Sequence, residues 1–207
     1  MRIIIAGALA AAAIALGSCA TMSEDQCLAG DWSESGFKDG REGQDASRLS
    51  EHAEACAKFG VAPDERAYLS ARDAGLREYC TPRGGFEAGR KGSEYKGVCP
   101  ANLERSFLPA YQDGRTLHTA ESAVSSAESA VNSARNRAAD RAEKLDAKER
   151  ELRQSGLTDA QREQIRNRIR EVRGELEDAR RDMRETERDL RYAERELEDV
   201  RRRLDVW

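Results

Sequence analysis

The sequence predicts an all-α protein: a small disulfide-stapled helical domain followed by an antiparallel coiled-coil hairpin. Three observations carry this. Helix breakers crowd into one half, since twelve of the 16 glycines and all four prolines lie between Cys19 and Arg115, with only Gly156 and Gly174 beyond. Cys27, Cys56, Cys80 and Cys99 share that half. From Leu117 onward, apolar residues recur at alternating spacings of three and four, the period of a coiled coil. The expected divisions are a leader over 1–18, a short linker over 19–26, a cysteine- and glycine-rich helical domain over 27–115, and a hairpin over 116–207 with helices spanning 117–154 and 159–206.

The leader begins with Arg2 and continues as an apolar run from Ile3 to Leu16, too short to cross about 30 Å of hydrocarbon as a helix. It closes on Leu16-Gly17-Ser18-Cys19, which resembles the lipobox of bacterial lipoproteins. The resemblance implies lipidation of the Cys19 thiol by diacylglycerol, cleavage after Ser18, and a mature chain held to a membrane leaflet outside the cytoplasm. Ala20 in place of aspartate resembles lipoproteins sorted to the periplasmic face of the outer membrane.

Without residues 1–18 the chain keeps 34 basic residues against 39 acidic ones. That balance argues against nucleic acid or anionic lipid as the main partner, because either needs a basic surface. The four cysteines after Cys19 suit two disulfides in an exported protein. Three pairings are open; Cys27–Cys56 and Cys80–Cys99 join neighbouring segments and are preferred. A zinc site competes but lacks a Cys-x-x-Cys pair, and no metal or cofactor is expected.

One pentapeptide pattern occurs four times: Phe37-Lys-Asp-Gly-Arg41, Tyr68-Leu-Ser-Ala-Arg72, Phe86-Glu-Ala-Gly-Arg90 and Tyr111-Gln-Asp-Gly-Arg115. In a helix the aromatic, the small residue and the arginine share one face, so the gap admits a neighbouring helix while the guanidinium covers a ring. The pattern reads chiefly as a packing code; the alternative makes Arg41, Arg72, Arg90 and Arg115 contacts for an anion or a partner. Together with Trp32, Cys56, Pro63-Asp64, Gly75-Leu76, Tyr79-Cys80, Tyr95 and Gly97-Val98-Cys99-Pro100, these residues resemble the domain-of-unknown-function family 2799 of proteobacterial lipoproteins, over about 24–115. At the second repeat Ala71 departs from the usual glycine, implying a looser approach there.

His52 precedes Cys56 by four residues, a spacing compatible with two metal ligands on one helix face. A disulfide consumes that thiol, so a hydrogen-bonded or exposed histidine is expected. His118 has no evident catalytic neighbour, and neither a phosphate loop nor a serine with base and orienter is recognisable. No catalytic residue is assigned.

In the hairpin, one seam runs through Leu117, Val124, Val131, Ala138, Leu145 and Leu152, and the other through Ile165, Val172, Ala179 and on to Val200 and Trp207. Gly156 suits the turn, and Thr158 with Gln161 makes a capping box. Antiparallel pairing sets Leu145 against Val172, and Ala120, Ala127 and Ala134 against Leu197, Leu190 and Met183, small facing large. The flanks then give Glu151–Arg168, Lys144–Glu175 and Arg137–Asp182 as unlike pairs, but Arg135–Arg180 and Glu128–Glu187 as like ones. Leu204 and Trp207 are expected near Leu108 and Tyr111.

The leading expectation is a non-enzymatic scaffold or partner-binding protein of the cell envelope, held to the membrane by its N-terminal lipid, with an envelope protein or peptidoglycan as partner and oligomer formation left open. The alternatives are a periplasmic chaperone or transport adaptor acting through the hairpin, and a cell-wall-binding or enzymatic head.

Overall fold

The computed structural model describes residues 21–204, which form seven α-helices and no strand among the described residues. They are α1 (Glu24–Ala29), α2 (Trp32–Arg41), α3 (Arg48–Ala57), α4 (Glu65–Tyr79), α5 (Pro82–Arg90), α6 (Ala101–Leu152) and α7 (Asp159–Arg203). Polar side chains start most of them. Ser23 and Gln26 form a capping box on α1, Asp31 accepts from the Glu34 amide at α2, and Thr81 accepts from Gly84 ahead of Pro82 in the first turn of α5. Both expected disulfides form, Cys27–Cys56 and Cys80–Cys99, with Cα separations of 5.4 and 5.6 Å. Each closes a loop that contributes about 3 kcal/mol on chain-entropy grounds.

The chain divides into two compact units. The first comprises 21–79 with 96–98, and the second 80–95 with 99–204. The expected break at residue 115 falls inside α6, which runs without interruption from the cysteine-rich region into the rod. Pro109 does not stop it. A proline inside a helix costs about 3 kcal/mol through its missing N–H and its ring clash. Here its neighbours Phe107 and Ala110 are 0% and 1% exposed, and their burial holds the helix through the defect. Within the stretch 19–26, Met22 is buried and α1 begins at Glu24.

In the first unit, Met22, Trp32, Tyr68 and the Cys27–Cys56 disulfide form a core, with Leu49, Phe59, Val61 and Ala67 against it. In the second unit, α6 and α7 make the predicted hairpin. Gly156 turns the chain at φ +84°, and Thr158 with Gln161 caps α7 as expected. Every seam position from Leu117 to Leu152, and from Ile165 to Leu204, is buried or half-buried. Leu204 closes the base in a cluster with Leu117, Leu197, Val200 and Phe86; Trp207 lies outside the described residues.

The flanking charges pair differently from expectation. Glu121 meets Arg201 at 3.3 Å, Arg135 meets Glu187 at 3.1 Å and Glu149 meets Arg173 at 2.7 Å, at intervals of two heptads along one edge. Side chains lean toward the N-terminus of their own helix. In antiparallel helices the two partners therefore lean toward each other along the rod and meet more than a turn away from their backbone neighbours. This takes Arg135 away from Arg180 and gives it a carboxylate. On the other edge, Glu175 takes Arg141 at 3.0 Å, while Lys144 and Glu151 pair within α6 to Asp140 and Lys148.

Candidate functional site

The glycines of the repeat set up the site because they decide how closely two helix pairs approach. A methyl at Gly40 on α2 would lie 2.1 Å from the Arg72 carbonyl oxygen of α4, and one at Gly75 on α4 would lie 2.2 Å from the Phe37 carbonyl oxygen. The α5–α6 pair repeats this arrangement: a methyl at Gly89 would strike the Tyr111 oxygen and one at Gly114 the Phe86 oxygen, each at 2.1 Å. Backbone lies directly on backbone at both crossings, which only glycine permits.

This geometry moves the second repeat by one helical turn. Gly75, not Ala71, stands where Gly114 stands, so Arg72 corresponds to Tyr111 and Tyr68 to Phe107. Two observations agree. Tyr68 and Phe107 are both fully buried. Arg72 donates through Nε (3.0 Å) and Nη2 (2.6 Å) to the Gln44 carbonyl just beyond α2, as the Tyr111 hydroxyl donates to the Ser93 carbonyl (2.9 Å) just beyond α5. The looser approach expected at Ala71 is therefore corrected; the close contact is intact four residues later.

The four repeat arginines are engaged locally. Arg72 is buried and committed to the Gln44 carbonyl. Arg41 pairs with Glu78 at 3.2 Å, and its guanidinium lies 5.8 Å from the Phe37 ring centre, the covering role expected of the pattern. Arg90 lies 3.8 Å from Glu121, and Arg115 donates to the Gly92 carbonyl at 3.3 Å.

Close packing of α2 on α4 places Asp39 inside the first unit, where a polar relay spans four segments. The Thr21 hydroxyl lies 2.8 Å from His52 Nδ1, His52 Nε2 lies 2.8 Å from Asp39 Oδ2, and the Tyr68 hydroxyl donates to that same oxygen at 2.6 Å. His52 is 3% exposed, Asp39 5% and Tyr68 0%. Burial, reinforced by the Asp39 carboxylate, pushes the Tyr68 phenol well above its ordinary pKa of 10. Met22, next to Thr21, reaches the Cys56 sulfur at 4.0 Å.

Hydroxyl, imidazole and carboxylate in sequence are also the components of an activated nucleophile. Burial argues for a clamp instead, because Asp39 and His52 satisfy each other and Tyr68 completes the carboxylate's hydrogen bonding. Of the two states expected for His52, hydrogen-bonded or exposed, the structure shows the first; its partners Thr21 and Asp39 lie 31 and 13 residues away, and no local pattern links them. Among the described residues no group of three His, Cys, Asp or Glu side chains is arranged to hold a metal ion, and no described helix is long and apolar enough to cross a membrane.

The paired crossings lie within the part of the chain that matches a known family. Residues 31–116 match the family described as Protein of unknown function (DUF2799). The matched segment contains both glycine crossings and the Asp39–His52–Tyr68 part of the relay, and most of the hairpin lies beyond it. No curated protein and no solved structure matches the chain.

Proposed function

We propose that this chain is a lipid-anchored envelope protein that works as a non-enzymatic scaffold, anchored through Cys19 at the periplasmic face of the outer membrane. The observation that carries the reading is the run Leu16-Gly17-Ser18-Cys19, with the folded body beginning two residues later at Thr21. Cys19 itself lies outside the described residues. Thr21 and Met22 hold the start of the described chain to the disulfide core. Two disulfides agree with an oxidising compartment.

A scaffold needs rigid elements more than a cleft. Glycine crossings, disulfides and a capped hairpin supply rigidity at every level of the fold. The chaperone reading is less well supported, because the apolar stripes of α6 and α7 are turned toward each other. In intact cells, crosslinking should capture an envelope protein or peptidoglycan with the native chain, and Cys19→Ser should move the chain to the soluble fraction and lose that product. Retention in the membrane after Cys19→Ser argues against the anchor. Suppression of outer-membrane-protein aggregation by the purified chain would replace the scaffold with the chaperone.

A further inference from the structure

The overall acidity of the chain hides a division of charge along the hairpin, basic around its turn and again at Arg201, Arg202 and Arg203, and acidic on α7 between them. Residues 148–173, around the hairpin turn, carry eight basic side chains against five acidic ones, whereas residues 174–199 carry six against eleven. Near the turn, a groove of about 570 Å³ is lined by Leu152, Ile169, Arg153, Arg166, Arg170 and Arg173 together with Glu149. Glu149 pairs with Arg173 at 2.7 Å, and Glu163 with Arg170 at 3.4 Å and with Arg166 at 3.8 Å. Four guanidiniums thus share two carboxylates, and an excess of positive charge remains. Further along α7, Asp182, Glu185, Asp189, Tyr192, Glu196 and Asp199 follow one another at alternating spacings of three and four, which puts them on one narrow face. Tyr192, on that face, is 61% exposed and is one of the few large apolar side chains left in water.

These two features complement each other. The groove has apolar side chains among guanidiniums; the stripe has an aromatic ring between Asp189 and Glu196, about one helical turn to either side. Guanidiniums favour carboxylates through paired hydrogen bonds, and an arginine plane also stacks on a tyrosine ring. Within one chain they never meet: Arg170 and Asp189 lie on the same helix, about 28 Å apart along its axis at 1.5 Å per residue.

We infer that a second copy of this chain occupies the groove, its Tyr192 on Leu152 and Ile169 and its Asp189 and Glu196 against the arginines. The contact joins two different surfaces, which closes into a pair where both contacts form at once and adds copies in a row where they form one at a time. The inference is independent of lipid anchoring.

Sedimentation velocity of the mature chain carrying Cys19→Ser tests it. At low ionic strength, where the Debye length is about 30 Å, the mean mass should rise with protein concentration, and salt near 1 M should reverse this. Tyr192→Ala and the pair Arg166→Glu/Arg170→Glu should each weaken association at least about tenfold, with helical circular dichroism unchanged. Mixing the Arg166→Glu/Arg170→Glu chain with an Asp189→Arg/Glu196→Arg chain should restore it. A monomer at every concentration in low salt overturns the inference, as does association indifferent to Tyr192→Ala. Arginine-dependent binding to phosphatidylglycerol vesicles by a chain that stays monomeric assigns the groove to a lipid surface and likewise overturns it.

Discussion

The hydroxyl of Thr21 lies 2.8 Å from Nδ1 of His52, although 31 residues separate them. Through this contact, the first described residue after the lipobox cysteine is tied to a histidine that is itself held by Asp39. Removing the imidazole leaves a buried carboxylate with Tyr68 as its remaining relay partner. His52→Ala should cost roughly 3 kcal/mol, and Thr21→Val about 1 kcal/mol, in urea unfolding of the full mature chain. Equal and negligible costs would show that the relay does not clamp the N-terminal segment.

The glycine crossings separate two kinds of glycine. Gly40→Ala and Gly114→Ala should each destabilise by about 3 kcal/mol or more, because the methyl would meet backbone rather than a side chain that can move. At Gly174, inside α7, an added methyl would have nothing within 4 Å. Gly174→Ala should stabilise by about 0.5–1 kcal/mol through helix propensity. Thermal unfolding of the three variants gives opposite signs if the crossings are as described.

Tyr68 sets an alkaline limit. Its folded-state pKa is raised above 10, so above about pH 10 the unfolded chain releases a proton that the folded chain keeps. Stability is therefore fully present below pH 10 and falls as pH rises beyond it. The groups acting on the phenol are Asp39 of α2, which raises its pKa, and Arg72 of α4 and Arg48 of α3, which oppose. Tyr68→Phe should flatten this part of the pH–stability curve while lowering stability at neutral pH. An unchanged slope between pH 10 and 11 contradicts the assignment.

The hairpin is a property of a single chain. With Leu145→Cys and Val172→Cys installed together, mild oxidation should give a monomer of raised mobility in denaturing gels. Dimers alone would mean that the two seams belong to different copies.

The rod is legible because its information is local and periodic: Leu145 and Val172 declare their faces through spacing, and Gly156 with Thr158 and Gln161 announces the turn. Adjacency along the chain favours the observed disulfide pairing, but four cysteines leave three pairings open and only the fold selects Cys27–Cys56 and Cys80–Cys99. The second repeat reads out of register by a turn because Tyr68 and Ala71 satisfy the same spacing rule as the true equivalents, Arg72 and Gly75. Which of two neighbouring turns meets the other helix is decided by backbone contact. Pro109 misleads in the same way, since the burial of Phe107 and Ala110 outweighs a local helix breaker. The relay is invisible in the sequence because Thr21, Asp39, His52 and Tyr68 are brought together only by the packing of four segments.

Lipid anchoring is tested most directly by mass spectrometry of the native protein extracted from bacterial membranes. The expected result is an N-terminal peptide that begins at Cys19 and carries diacylglycerol. A chain that retains residues 1–18, or begins elsewhere without lipid, contradicts it.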